Sequence, residues 1–509
     1  MREMNLVCFA SGLTGGFRAR NVEKRCRRVC VVSSRVSELE VGGSAVSEDG
    51  VEERGVFPGQ LLVEKELGGG GVERTYDIRL AKKFLEDYWQ KRPVLFRNAL
   101  RFFSSPLSPD ELAGLACEQD IDSRLIIHWE GLESQHERAK KGSHPSWELR
   151  IGPFVESDFQ DLPDKCYTLL VQEVNGHIQE VSDLLDHFRF LPNWRLDDVM
   201  VSYATEGGGV GPHVDSFDVF LLQAQGRRSW KTSYTPIIPE DENLISDCDV
   251  RVLKKGFSVS EEWILEPGDM LYVPPRIPHW GVSLDDSCMT FSIGLRAPEK
   301  RELVRSFTDY LVENKISSRT DFVRDNSDDL CEYTVGGGEE DGEGSTADPG
   351  ILTREAVREA QRSIREILDL DDNEFARWYA RYVTLPKRDR SDSLGLGDEL
   401  NTVVSKSEAT GIVAEIASGA GVSLRHREAA VFSYLSSECA GTDGDVLYIN
   451  GESFPLGPKS DGTAKLVCSR KVLQGAALQQ QLLADPGFDK LLVQLICMGL
   501  LYCVYDDDS

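Results

Sequence analysis

His213 and Asp215 stand one residue apart in the string Gly207-Gly208-Gly209-Val210-Gly211-Pro212-His213-Val214-Asp215, which offers an imidazole and a carboxylate to one metal ion. In an extended strand, residues two apart point the same way, so both side chains leave one face while Val214 packs on the other. Two neutral imidazoles and one carboxylate on one face of an octahedral ion leave three positions open, the arrangement that suits non-haem Fe(II) oxygen chemistry. The second imidazole must come from elsewhere in the chain, and His279 fits. It follows the turn signal Glu266-Pro267-Gly268-Asp269, the apolar strand Met270 to Val273, and Pro274-Pro275-Arg276-Ile277-Pro278. Prolines on both sides restrict the backbone and hold such an imidazole in place.

The segment Gln223-Ala224-Gln225-Gly226-Arg227-Arg228-Ser229-Trp230-Lys231 predicts a strand end, a turn at Gly226 and a return strand. Alternation puts Arg228 with Trp230, and because indole prefers the interior, Arg228 is the arginine that points inward. A buried guanidinium requires an anion. The far carboxylate of 2-oxoglutarate is one, and bidentate pairing suits arginine geometry. Arg227, of opposite parity, belongs on the surface. A lone His-x-Asp is more often a turn or a surface pair, and a zinc site of two His and an Asp would leave Arg228 without a purpose. The triple glycine serves flexibility or close backbone approach rather than chemistry. Asp218 is a candidate for receiving a substrate guanidinium, with solvation or a buried structural bond as the competing reading.

Elements that place these residues follow from pattern. Leu80 to Gln90 spaces Phe84, Leu85, Tyr88 and Trp89 as a helix that Pro93 ends before the extended run Val94 to Phe96, and Ser108 caps a second short helix reaching Cys117. From about 120 to 300, short alternating apolar runs between Gly, Pro and Asp predict an antiparallel β-sandwich or barrel. Helices return at Glu299 to Asn314, Ile351 to Leu368 and Asp372 to Tyr382, with an acidic Gly-rich stretch at 325–350 between the first two. A last unit mixes helices at Leu424 to Leu435 and Phe488 to Gly499 with strands at Val446 to Asn450 and Leu501 to Tyr505. Ordered structure is expected from about Asp77.

At 509 residues the chain has room for two to four domains of about 100–200 residues each. Its most apolar candidate for a membrane span, Leu491 to Val504, is too short and carries Gln494, so a core helix running into a strand is expected instead. Twelve cysteines lie scattered without zinc-site spacing, which favours a reducing compartment. Residues 1–37 hold eight Lys/Arg against two acids, a net of +6, and the remainder holds 49 against 83, a net of −34 within the total of −28. The basic leader fits an organellar transit peptide, for a chloroplast or alternatively a mitochondrion; a basic tail that is never removed has the same composition. The acidic remainder repels nucleic acid and attracts a basic protein, although acidity also serves solubility alone.

Gly207 to Trp230, Gly268 to Gly281 and Phe291-Ser292-Ile293-Gly294-Leu295-Arg296-Ala297-Pro298 together resemble the bacterial-type ribosomal oxygenases, JmjC proteins that hydroxylate an arginine of a large-subunit ribosomal protein. The resemblance extends more weakly over about 57–505. It implies an α+β fold: a double-stranded β-helix (cupin or jelly-roll JmjC barrel) with N-terminal helices, a helical dimerisation region and a C-terminal winged-helix-like domain. Boundaries are expected at 1–37 (leader), 38–76 (linker), 77–298 (barrel), 299–400 (helical region) and 401–509 (terminal domain). The implied metal ligands are His213, Asp215 and His279, and the implied cosubstrate residue is Arg228, with hydroxyls of Ser202 and Ser292 nearby. Fe(2+), 2-oxoglutarate and O2 are the implied cofactors, a basic ribosomal protein the substrate, and a homodimer the assembly. The winged-helix likeness suggests DNA binding, but the acidic run Asp506-Asp507-Asp508 and the lack of a basic stripe argue for protein contact instead. Related histidine hydroxylases and lysine demethylases keep the same ligands, and a non-catalytic barrel scaffold is the rival from outside enzymology.

Overall fold

Asp77 starts the first helix, Ile78–Asp87, by accepting hydrogen bonds from the N–H groups of Arg79 and Leu80, and the helix buries Ala81 and Phe84. It ends earlier than its apolar spacing predicts. Gln90 takes a left-handed conformation (φ 55°), and its N–H donates to the Tyr272 hydroxyl at 2.8 Å rather than continuing the helix. The second helix, Pro109–Leu115, carries the predicted Ser108 cap, completed by Glu111 in a reciprocal capping box.

The computed structural model describes residues 55–66, 72–101, 103–129, 147–246, 250–316, 352, 354–385, 404–458, 460 and 462–505. The leader at 1–37 and the acidic insert at 325–350 lie outside the described residues. Packing begins before Asp77: Phe57, Leu61 and Leu62 are buried in the main core, and Val56 forms a bridge to Leu95. No helix among the described residues is long and apolar enough to cross a membrane.

The strands are β1 (Leu62–Glu66), β2 (Val72–Tyr76), β3 (Val94–Phe96), β4 (Ser123–His128), β5 (Trp147–Ile151), β6 (Tyr167–Val171), β7 (Leu196–Ala204), β8 (Asp218–Gln225), β9 (Arg228–Thr232), β10 (Glu261–Leu265), β11 (Met270–Val273), β12 (His279–Ser283) and β13 (Cys288–Leu295). Eight of them form one sheet in the order β3-β11-β8-β13-β7-β6-β4-β5, and β10-β9-β12 form a second. Every pair within these two sheets is antiparallel. This is the antiparallel barrel that the alternating runs predict, of the cupin type that the resemblance implies. One detail differs: the turn at Gly226 closes no hairpin. It carries the chain from β8 in the large sheet to β9 in the small one, and Gly226 sits at φ 64° where a Cβ would stand 2.4 Å from the Ser287 carbonyl oxygen.

Alternation sorts the large sheet into two faces. Val199, Val201, Tyr203, Phe220, Leu222, Met289, Phe291 and Ile293 pack outward with the helices, in one core with Phe84 and Phe188. Ser202, Gln223, Thr290 and Ser292 take the opposite parity and face the barrel interior, all of them buried. On the small sheet Arg228, Trp230 and Thr232 are buried while Ser229 and Lys231 between them are partly exposed.

Beyond the barrel, the helices Lys300–Asn314, Arg354–Leu368 and Asp372–Thr384 lie where their periodicity predicts. The terminal part contains β14 (Val422–His426), β15 (Phe432–Leu435), β16 (Val446–Ile449), β17 (Glu452–Pro455), β18 (Val472–Leu473) and β19 (Leu501–Tyr505), in sheets β18-β14-β19 and β15-β16-β17. The helix expected over Leu424 to Leu435 is absent. Its residues form β14, a turn in which Ala429 takes φ 61°, and β15, because β14 is central and buried on both faces, which erases the alternation that marks a strand. Arg425, only 2% exposed, donates to Asp183 at 2.7 Å and Glu428 at 3.0 Å. Arg425→Ala should lower unfolding free energy by about 2–4 kcal/mol, read as a shifted denaturant midpoint at unchanged slope, because both carboxylates lose a desolvated partner.

Candidate metal centre

His213 and His279 face each other across an isolated antiparallel bridge, with His213 N–H donating to the His279 carbonyl at 3.0 Å and His279 N–H to the His213 carbonyl at 2.9 Å. His213 and Asp215 therefore lie on the loop after β7 and not in a regular strand; a single ladder rung against β12 imposes the shared direction that a strand was expected to supply. The His279 Nε2 is 3.3 Å from Asp215 Oδ2, and the His213 Nε2 is 3.9 Å from Asp215 Oδ1. One donor atom from each of the three side chains falls within 4.8 Å of the others.

Second contacts fix the imidazoles. His213 Nδ1 lies 2.9 Å from the Gly211 carbonyl and His279 Nδ1 lies 3.0 Å from the Ile277 carbonyl. With Nδ1 committed to a carbonyl in each ring, Nε2 is the nitrogen left to face Asp215, and it is this atom that would hold a metal once its proton is released. Burial and the neighbouring His279 hold His213 down to about 4. Burial opposes ionisation of Asp215, but the hydrogen bond and charge of His279 outweigh it and bring the carboxyl to about 2. Burial lowers His279, yet the Asp215 carboxylate reverses that and raises it. At neutral pH the cluster therefore offers an ionised carboxylate and a neutral His213.

Arg228 is 4% exposed, and its Nε and one terminal nitrogen are buried without a hydrogen-bond partner. Its guanidinium carbon lies 5.8 Å from the centre of the Trp230 ring, which itself lies 5.8 Å from the His279 ring. Arg228 thus points inward as parity predicts, while Arg227 is surface-exposed and pairs with Asp285 at 2.9 Å. Trp230 Nε1, Thr232 Oγ1 and Thr168 Oγ1 are also buried and unpartnered. Parity places Trp230 and Thr232 inward with Arg228, but nothing local in the sequence marks Thr232 or Thr168 as polar groups left unpaired in the interior. Ser202 and Ser292 do face the interior, Ser202 donating weakly to the Thr290 carbonyl at 3.4 Å.

Asp218 belongs to none of this. It lies fully buried on the outward face of β8, accepting from Tyr272 at 2.5 Å, Arg195 at 2.9 Å and Gln90 at 3.1 Å, and is closed to a substrate guanidinium. The glycines serve close approach. A Cβ at Gly209 would stand 2.3 Å from the Gly281 carbonyl oxygen, and one at Gly281 would stand 2.6 Å from the Trp230 ring. Gly281→Ala should force that ring aside and destabilise the protein by about 1–3 kcal/mol, visible as a lower denaturation midpoint.

Residues 183–303 match the family described as the JmjC domain. The barrel with its His-Asp-His cluster is accordingly a JmjC domain of the cupin type. Within that class the chain is similar to ribosomal oxygenases. A protein of Escherichia coli (strain K12) named ribosomal protein uL16 3-hydroxylase is 40% identical over 46% of this chain and 57% of its own length. A probable ribosomal oxygenase of Haemophilus influenzae is 38% identical over 43% of this chain and 50% of its own. The matches thus span little more than half of these curated relatives. The structure of the Escherichia coli ribosomal oxygenase YcfD in complex with cobalt and 2-oxoglutarate superposes with a TM-score of 0.61 at 27% identity, covering 83% of this chain and 97% of that one.

Proposed function

We propose that the chain is an Fe(II)- and 2-oxoglutarate-dependent protein hydroxylase that acts on an arginine side chain of a large-subunit ribosomal protein in an organelle. One observation carries the enzymatic reading: the buried guanidinium of Arg228, two of whose nitrogens lack a hydrogen-bond partner among the described residues, shares the barrel interior with a convergent His213, Asp215 and His279. An unpaired buried charge is destabilising, and its retention makes sense where an anion completes it. The donor set fits ferrous iron, and the buried Arg228 guanidinium fits a carboxylate.

In this reading His213 and His279 hold the metal through Nε2, and Asp215 supplies the anionic ligand. Arg228 anchors the far carboxylate of the cosubstrate, with Ser202 and Ser292 lining the same space. Bound iron and 2-oxoglutarate supply the oxidation of an unactivated C–H bond with dioxygen. The protein contributes ligation, orientation and a dry interior, whose walls are Trp230, Trp263, Leu221 and Leu271. A scaffold would have no use for Arg228.

The choice of arginine rests on the family resemblance carried by the Gly207 to His213 string, and the choice of a large-subunit ribosomal protein is supported by the name of the Escherichia coli relative, which specifies ribosomal protein uL16. A relative at 26% identity, from Aedes aegypti, is named a bifunctional lysine-specific demethylase and histidyl-hydroxylase, and those targets form the second reading. The acidic net charge of −28 favours a basic partner. Organellar location, in a chloroplast or alternatively a mitochondrion, rests on the composition of residues 1–37. A homodimer is supported by the helix Arg354–Leu368, whose stripe of Val357, Ile364 and Leu368 is about half exposed or more.

Incubation with iron, 2-oxoglutarate and peptides of an organellar uL16 should add the mass of one oxygen atom to an arginine-containing fragment. Oxygen found on histidine, or a methyl group lost from lysine, would replace the arginine assignment.

A further inference from the structure

Arg276 stands three residues before His279 and occupies the left-handed region at φ 65°, a conformation that a non-glycine residue keeps only when its surroundings impose it. Its N–H donates to the backbone carbonyl of Asp215 at 2.8 Å. One residue therefore links the turn that carries His279 to the loop that carries Asp215. Its side chain is gripped on two sides. Nε donates to the Ile237 carbonyl at 2.8 Å, and the guanidinium is in ion-pair contact with the Glu242 carboxylate, though outside hydrogen-bond alignment. Glu242 is 6% exposed in its side chain, and its other oxygen accepts from Arg251, which is 74% exposed.

The segment supplying Glu242 joins β9 to β10 and touches both ligand-bearing stretches. Ile237 N–H donates to the Arg276 carbonyl at 2.9 Å, Ser233 N–H to the Pro278 carbonyl at 3.2 Å, and Leu253 N–H to the Pro212 carbonyl at 2.8 Å. An unfavourable backbone conformation, a buried carboxylate committed to it, and a hydrogen bond to the ligand loop thus converge on Arg276. We propose that Arg276, held in its left-handed conformation by Glu242, is a positioning residue that sets Asp215 against His279 and so tunes the affinity of the metal centre. The inference rests on the metal-centre reading above. It adds a control point outside the three ligands.

Loss of the Glu242 charge lets the backbone at 276 relax, draws its N–H away from Asp215, and loosens the cluster. Glycine adopts the same φ at no steric penalty and keeps the N–H, whereas alanine does not adopt it freely. The experiment is titration of the full chain with Co(II), followed by visible absorption, with neither cosubstrate nor substrate present. Glu242→Gln should weaken Co(II) binding about tenfold, the lower end of what loss of an outer partner does at metal sites, and should alter the absorption bands. Arg276→Ala should weaken it similarly, while Arg276→Gly should stay within about threefold of wild type. The Ala and Gly pair keeps the test open should Glu242→Gln fail to fold. Equal affinities for Arg276→Ala and Arg276→Gly, or a Glu242→Gln protein with wild-type affinity and spectrum, would overturn the proposal. Wild-type protein that takes up no Co(II) would remove the metal-centre reading and this inference together.

Discussion

Replacing Arg228 by leucine is expected to abolish 2-oxoglutarate-dependent turnover while leaving the empty protein at least as stable as before. Two effects of opposite sign lead there. The guanidinium is 4% exposed, lacks partners at two nitrogens among the described residues, and has the Trp230 ring at 5.8 Å as a partial offset. Exchanging even a paired buried charge and its partner for apolar side chains of similar volume is often neutral, or stabilising by about 1–4 kcal/mol, and an unpaired charge has less to lose. With the cosubstrate present the balance reverses, because losing one member of a desolvated charged pair costs about 2–5 kcal/mol of binding. That range corresponds to roughly thirtyfold to several-thousandfold in the 2-oxoglutarate dissociation constant. Thermal melts of the empty protein and cosubstrate titrations, run side by side, separate the two effects. A marked fall in Tm with affinity retained would make Arg228 an ordinary structural residue.

The second large effect concerns Asp215, the most exposed member of the cluster, with 42% of its side chain exposed, and so the one whose removal the fold should tolerate best. Asp215→Ala takes away the anionic ligand and leaves two imidazoles without the carboxylate that their Nε2 atoms approach. Loss of an outer partner weakens metal binding about 10–100-fold, and loss of a ligand should exceed that. Metal analysis after dialysis should find stoichiometric iron in the wild type and essentially none in the variant, with succinate formation lost in parallel. Retained iron would move the binding site elsewhere.

The sequence made the chemistry easier to see than the architecture. His279 was legible because prolines and a turn frame it, and Arg228 because strand parity beside a tryptophan leaves a single inward choice. The register that makes the cluster work was not legible. His213 meets His279 through one bridge in an irregular loop, a contact between residues far apart in sequence for which no local pattern exists. Nor did the turn at Gly226 reveal that it changes sheets, since the same signal serves a hairpin. Residue type alone does not place Asp218: an acid beside a metal motif fits either side of its strand, and here it faces Tyr272 and Arg195. The segment Leu424 to Leu435 carries no strand signal because β14 is buried on both faces, which removes the alternation that marks a strand. Phe57, Leu61 and Leu62, set among glycines and acids, gave too short an apolar run to announce the core they join. The Arg276 conformation lies in backbone dihedrals, which residue type alone leaves open.

Crystals grown without oxygen in cobalt and 2-oxoglutarate, with anomalous scattering measured at the cobalt edge, test the central claim most directly. One strong peak among His213 Nε2, the Asp215 carboxylate and His279 Nε2, with a dicarboxylate reaching from it to Arg228, is the predicted result. Cobalt bound at other residues, or a dicarboxylate that leaves the Arg228 guanidinium unpaired, would contradict it.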